Sequence, residues 1–343
     1  MNSNLINPHY PLIDLHRHLD GSVRLETILE LGQTYGLPLP AQDIEGLRPY
    51  VQVTDVQPGV MEFIARFEWM TKVLVNEDAC RRVAYECVED LGKEGIDYAE
   101  LRFSPWFMAE THHLSPVGVI DAVVDGVRAA SLDTGTPVNL IGILSRTYGP
   151  DICRQELAAI LSRREAFIAV DLAGDEAHFP AEWFESHFSL VRDAGLHVTI
   201  HAGEAEGPQS IWQAIQRLGA ERIGHAVQAV KDGQLLDYMA NRRIAVEVNL
   251  TSNVQTSTVR SYAEHPVRLF VERGICATLN TDDPGISAIT LPYEYNVAAP
   301  QAGLSREQIY QLQKNALEAS FLSTQEKSEL LLKKGASPSH GDL

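Results

Sequence analysis

Short apolar or alternating runs recur along the chain, separated by longer stretches whose apolar residues fall at helical spacing. The short runs are "PLIDLHRHL" (11–19), "IDYAELRFS" (96–104), "VNLIGILSR" (138–146), "FIAVDLAG" (167–174), "HVTIHAG" (197–203), "RIGHAV" (222–227), "IAVEVNLTS" (244–252) and "CATLNTD" (276–282). Their length and β-branched content mark them as buried strands. Between them lie helical patterns such as "NEDACRRVAYECVEDLGKEG" and "SPVGVIDAVVDGVRAASLDTG", which open on Asn or Ser and close on Gly, as helix start and stop signals do.

Eight strands alternating with helices predict an α/β fold, a single (β/α)8 TIM barrel. An open doubly wound sheet is the competing solution, but no G-x-G-x-x-G follows the first run. Two features exceed a minimal barrel: a helical insertion at 36–75, between the first two strands, and extra C-terminal helices from Ser305 onward. Within the insertion, "VMEFIARF" sets Val60, Phe63, Ile64 and Phe67 on one helical face, which suits a core-facing helix. No internal repeat or linker interrupts the pattern, so residues 1–343 are expected to form one domain.

Polar residues at the strand ends change the picture. "DLHRHLDGS" carries His16 and His18 at i and i+2 of the first strand, so both imidazoles face one side while Arg17 faces the other. The fifth run ends on His201 and Glu204, the sixth on His225, the eighth on Asp282 and Asp283. In a barrel the C-terminal ends of the strands carry the chemistry. Independent packing histidines have no reason to gather on that rim. His16, His18, His201 and Asp282 together suit one Zn²⁺, bound by nitrogen and oxygen with room for water. A second metal is not expected, because the fourth strand offers no bridging lysine. The remaining histidines, including His187 and His265, read as surface or loop residues without a role.

Composition narrows the partners. Lys+Arg number 28 against 46 Asp+Glu, a net charge of −18, which argues against a nucleic-acid or anionic-membrane surface and suits a small uncharged or cationic ligand. The four cysteines form no C-x-x-C pair and read as reduced thiols. "MNSNLINPHY" lacks the basic and apolar regions of a signal peptide, and no apolar run reaches the ~18–20 residues of a membrane span. A cytoplasmic protein is expected.

"HRHLDGS", "DLAGDE", "HAGE", "IGHAV" and "NTDDPG", in this order and spacing, resemble the adenosine deaminases of the metal-dependent amidohydrolase superfamily, the bacterial ones most closely. The resemblance runs over nearly the full length. It implies one zinc per chain and hydrolytic replacement of the purine 6-amino group of adenosine or 2′-deoxyadenosine, with water as co-substrate and ammonia released. It implies His16, His18, His201 and Asp282 as zinc ligands and Glu204 as the acid at purine N1. It further implies that His225 orients the attacking water and helps to take its proton. Asp283 would bond N7, the Gly174 amide N3, and Asp20 the ribose 5′-hydroxyl with His18 close by. Phe63 and Phe67 would belong to an apolar lid formed by the insertion. Asp20 has a competing reading, as the cap of the helix "VRLETILELGQ".

The chain departs from the family pattern at Ala226, where glycine is usual, at Asn249, where cysteine is common, and at Trp106 and Phe107. Two other readings stay open on the sequence: a deaminase of a modified or free aminopurine base, and a non-catalytic purine-binding protein. Retention of Glu204 and His225 argues against the second, since binding alone needs no acid.

Overall fold

A computed structural model describes residues 4–53 and 55–335. Eight parallel strands, β1 (Ile13–His18), β2 (Tyr98–Phe103), β3 (Val138–Ser145), β4 (Phe167–Ala173), β5 (His197–Ala202), β6 (Arg222–His225), β7 (Ala245–Val248) and β8 (Ala277–Leu279), follow one another in chain order. Helices cross between them, giving the (β/α)8 TIM barrel. The first and last staves meet just beyond β8: Arg17 pairs with Asp282, His18 N–H donates to Asp282 C=O at 2.8 Å, and Asp282 N–H to His16 C=O at 2.8 Å. The bonds that close the barrel therefore also set Asp282 beside the two histidines of β1.

The helices obey their local signals. Glu77–Glu94 starts on Asn76, whose side chain accepts from the Ala79 amide at 2.9 Å, and stops on Gly95 at φ +75°. Pro116–Thr134 is capped by Ser115 and stopped by Gly135. Each such cap contributes roughly 1 kcal/mol. Their apolar faces bury Val83, Leu91, Ile120 and Val127 against the strands in one continuous core. The C-terminal extension forms helices Arg306–Ala319 and Thr324–Lys333, both opened by a capping box. Between β1 and Glu77, the insertion holds Ile44–Val51, Val60–Ile64 and Glu68–Lys72, with a tight turn at Ala65–Phe67. "VMEFIARF" is thus not one continuous helix.

The seventh run is corrected too. Strand β7 stops at Val248, and Leu250–Gln255 is helical. The cause is remote: the carboxylate of Glu294 accepts the Leu250 and Thr251 amides at 3.1 and 3.3 Å, anchoring a helix start there. Among the described residues no helix is long and apolar enough to cross a membrane.

The barrel interior is charged where branched aliphatic layers are usual. Arg102 bonds Asp171 and Glu247, both at 2.8 Å, and Arg222 bonds Glu247 at 2.7 Å and Glu100 at 2.6 Å. All five are buried. Buried charges persist only when paired and hydrogen-bonded. This network forms the floor on which the rim residues stand.

Candidate active site

Strand ends β1 and β5 and the closing segment after β8 bring His16, His18, His201 and Asp282 together, all buried. His16 Nε2 lies 3.0 Å from Asp282 Oδ1, and His18 Nε2 lies 3.3 Å from the same oxygen. His18 Nε2 is also 3.3 Å from His16 Nε2 and 3.2 Å from His201 Nε2. The far ring nitrogens are engaged: His16 Nδ1 donates to Glu247 at 2.7 Å and His201 Nδ1 to Asp171 at 2.9 Å. A neutral imidazole that donates through Nδ1 keeps a bare lone pair on Nε2. Lone pairs so close cannot satisfy one another. Four ligands about 2.0 Å from a tetrahedral centre stand roughly 3.3 Å apart, so the donor set fits a single cation.

The electrostatics agree. Burial first, and the neighbouring His16 ring, hold His201 down to about 3, so its ring stays neutral. Burial also opposes charge on His18, but Asp283, Asp20 and Asp282 outweigh it and push that ring up to about 9. Behind the ligands, Asp171 is held well below the usual carboxylate range: burial opposes its charge, but His201 and Arg102 prevail.

Above the cluster opens a cavity of about 820 Å³, the solvent space of its mouth included. His18, Asp20, Gly174, His201, Glu204, His225, Asp282 and Asp283 line it, and Val60, Phe63, Ile64, Phe67 and Phe107 form an apolar wall. Every site residue singled out in the sequence lies in the cavity wall or the cluster below it.

Glu204 stands 3.6 Å from the His225 ring. Burial, reinforced by Asp282 and Glu176, pushes its carboxyl up to about 8, so it is protonated at neutral pH. Its loop is held by Glu176, whose carboxylate accepts the amides of Gly203, Glu204, Ala205 and Glu206 at 2.6–3.2 Å. Asp283 is likewise raised, by burial and then by Asp282. One carboxyl oxygen of Asp283 and one of Asp20 are buried without a hydrogen bond, that of Asp20 facing His18 Nδ1 at 3.6 Å. Gly21 answers to this packing: a Cβ there would come within 1.9 Å of the Asp283 carboxyl. Gly174, at φ +105°, would drive a Cβ to 2.5 Å from Thr147 Oγ1. His225, Ala226 and Asp282 sit at φ +66°, +50° and +63°. Such strain gathers at functional sites and costs of order 1–3 kcal/mol per residue.

A competing reading falls away and one expectation is overturned. Asp20 does not cap the helix Leu25–Thr34, whose N-terminal residue is Arg24 and which has no side-chain cap. His187 and His265 are not surface residues: they are 1% and 4% exposed, because His187 bonds the Pro150 carbonyl and His265 bonds Asn253 inside the fold. The sequence reading also missed Arg102, Asp171, Glu176, Glu247 and Asn253. The signal for Asp171 and Glu247 was a lone carboxylate inside an apolar strand, "AVDLA" and "AVEV".

A family model described as adenosine deaminase matches residues 11–334. The chain is 59% identical over 326 residues to an adenosine deaminase of Edwardsiella ictaluri, covering 95% of this chain and 98% of that one. It is 55% identical over 327 residues to an adenosine deaminase of Klebsiella pneumoniae, covering 95% and 98%. Among solved structures, adenine deaminase from Arthrobacter aurescens superposes with a TM-score of 0.88 over 95% of this chain and 98% of that one, at 24% identity, a likeness of fold. The N6-methyl-AMP deaminase of Arabidopsis thaliana gives 0.80 over 96% and 97%, at 27% identity. Matched from its first strand to its last helix, with the family's motifs gathered on one rim, the chain belongs to the adenosine deaminase family.

Proposed function

We propose that the protein is a zinc-dependent adenosine deaminase with one Zn²⁺ per chain, converting adenosine and 2′-deoxyadenosine to inosine and 2′-deoxyinosine with release of ammonia, in cytoplasmic purine metabolism. The observation that carries the reading is geometric: Glu204 lines the same cavity as His18, His201 and Asp282, where burial raises its carboxyl toward the protonated form. Addition at C6 breaks ring aromaticity and moves charge onto N1, which then needs a proton. An ordinary surface glutamate has none to give at neutral pH.

Three imidazoles and a carboxylate favour zinc over harder cations. When bound, zinc lowers the pKa of a water to roughly 7 and so supplies a nucleophile at neutral pH. His16, His18, His201 and Asp282 would hold the ion, with Glu247 and Asp171 fixing two of the rings. His225 would hold the attacking water in line with C6. Purine N7 can only accept, so Asp283 must bring the proton, which its raised pKa supports. The exposed amide of Gly174 would meet N3. Asp20, with its unpartnered oxygen, would accept from the ribose 5′-hydroxyl and repel a 5′-phosphate. The insertion 36–75 would act as a lid, with Phe63 and Phe67 excluding water over the sugar and base.

An ultraviolet assay on adenosine, deoxyadenosine, adenine and AMP, run beside elemental analysis, tests the whole reading. The expected order is adenosine ≈ deoxyadenosine, then adenine, with AMP rejected and one zinc per chain. Turnover of AMP at the adenosine rate, or two tightly held metals, would contradict it. Asp20→Asn should narrow the gap between adenosine and AMP with little change in stability, since Asp20 caps no helix.

A further inference from the structure

Beside His225, three groups outside the cavity wall form a hydrogen-bonded line that the catalytic reading does not use, ending on the ring's Nδ1, which also stands 3.6 Å from the Glu204 carboxyl. The Val267 amide donates to His265 Nδ1 at 3.0 Å. His265 Nε2 lies 3.1 Å from Asn253 Oδ1, and Asn253 Nδ2 lies 2.9 Å from His225 Nδ1. Asn249 places its own Nδ2 3.3 Å from the same His225 nitrogen. Asn253 and His265 are buried, and neither lines the cavity.

The direction of every bond in the line follows from its first member. A backbone N–H can only donate, so His265 Nδ1 must offer a lone pair, and a neutral His265 carries its proton on Nε2. Burial, and then the nearby His225 ring, push His265 down to about 3, so no second proton is held near neutral pH. The Nε2–H requires an acceptor, which turns Asn253 with its oxygen toward His265 and its NH₂ toward His225. That NH₂ in turn requires a lone pair on His225 Nδ1. In the neutral His225 ring the proton is left on Nε2, the nitrogen on the Asp282 side, 3.8 Å from Oδ2. Asn249, the residue at which this chain departs from its family's cysteine, adds a second donor to the same lone pair.

We propose that His265 and Asn253 are positioning residues that lock His225 as the Nε2–H tautomer, so that the ring meets the attacking water as a hydrogen-bond donor and not as its base. This rests on the deaminase reading above and refines it. In the locked form Nε2 has no lone pair with which to receive a proton. An N–H aimed at an oxygen that is gaining negative charge makes a stronger bond than one aimed at neutral water. Holding the water, and stabilising the charge that develops on its oxygen, is then the whole task of His225; the proton of a water whose pKa zinc would lower to roughly 7 would leave to solvent.

The test reads the tautomer directly. Long-range ¹H–¹⁵N spectra of the zinc-loaded enzyme, labelled at histidine, should show a pyridine-type Nδ1 and a pyrrole-type Nε2 for both His225 and His265. A pyrrole-type Nδ1 on His225 would overturn the proposal whatever the activity. Asn253→Asp keeps the shape but accepts from both neighbours, so His225 should switch to Nδ1–H. There kcat should fall by roughly 10²–10⁴-fold, the scale of a mis-set catalytic histidine. KM should stay within a few-fold, since Asn253 does not touch the ligand. A reversed tautomer with undiminished kcat would remove the role assigned to it. His265→Leu frees the Asn253 amide and serves should the first variant fail to fold. It should give mixed His225 tautomers and a smaller loss of kcat, whereas one unmixed Nε2–H form at full kcat would exclude His265. A protein without adenosine turnover would sink the deaminase reading yet leave the tautomer spectrum as expected, so the two failures are separable.

Discussion

At the scale of single residues, the site is a set of carboxyls driven apart in protonation by their surroundings. Asp282, beside three imidazoles, is held well below its ordinary value although burial opposes its charge, while Glu204, buried and facing Asp282 and Glu176, is pushed up to about 8. Two adjacent roles, ligand and acid, follow from that separation. Because the acid must be protonated, activity should fall on the basic side as pH rises through about 8. Glu204→Gln should lower turnover by roughly 10²–10⁴-fold, keep zinc, and lose the basic limb of its residual pH profile. Near-full turnover in that variant would show the acid to be another group. Stability carries the same sign. The folded state keeps a proton that the unfolded chain releases near 4.5, so this group's contribution is full below that pH and is lost as pH rises to about 8. His16 and His18 were legible in the sequence because residues two apart on a strand share a face, and His201, Glu204 and Asp282 because they fall at strand ends, their roles being those the family resemblance implies. Asp171, Glu176 and Glu247 were not, since nothing local to a strand carboxylate names the partner 30 or 231 positions away.

At the scale of elements, the regular helices and strands were readable from period and caps, and the seventh run was misread for a remote reason. The helix Leu250–Gln255 exists because Glu294, 44 positions on, anchors its first amides. The "VMEFIARF" face, by contrast, survives the tightening at Ala65–Phe67: Val60, Phe63, Ile64 and Phe67 all line the cavity. The lid reading separates from the core reading by what an aromatic truncation does. Phe63 is buried and lines the cavity, as does Phe67, which meets Phe107 edge-on with ring centroids 5.7 Å apart. Phe63→Ala should raise KM for adenosine by roughly tenfold, the equivalent of about 1.4 kcal/mol of lost apolar contact. Phe103→Ala, in β2 and stacked on Phe167 away from the cavity, should instead cost about 3–5 kcal/mol of stability and leave KM unchanged. Equal effects of the two truncations on KM would remove the lid. A third change at this scale concerns Ala226, left-handed at φ +50° after β6. Ala226→Gly removes the steric penalty of the methyl, about 1 kcal/mol, and should raise the melting temperature with turnover unchanged.

Across the whole molecule, the barrel works as a lever from floor to rim, with Glu247 as its fulcrum. One carboxylate oxygen takes Arg222 at 2.7 Å and Thr199 at 2.9 Å from the floor. The other takes Arg102 at 2.8 Å and His16 Nδ1 at 2.7 Å at the rim. Glu100 bonds the same Arg222 at 2.6 Å, but its other contacts, Tyr98 and the Phe321 amide, all lie on the floor side. Both carboxylates are buried against guanidinium groups, so neutralising either strands a charge, at about 3–5 kcal/mol. Only one of them also orients His16, a proposed metal ligand. Glu247→Gln should therefore lose stability and, in addition, weaken zinc binding by about 10–100-fold, the usual effect of removing a ligand's hydrogen-bond partner. Glu100→Gln should lose comparable stability while its zinc affinity, measured by competition with a chelator, matches the parent. If both variants release zinc equally, metal loss merely follows global loosening, and the rim is not steered through Glu247. If Glu247→Gln alone releases it, the charged interior is what aligns the first histidine with its ion, and the cost of burying those charges has a function.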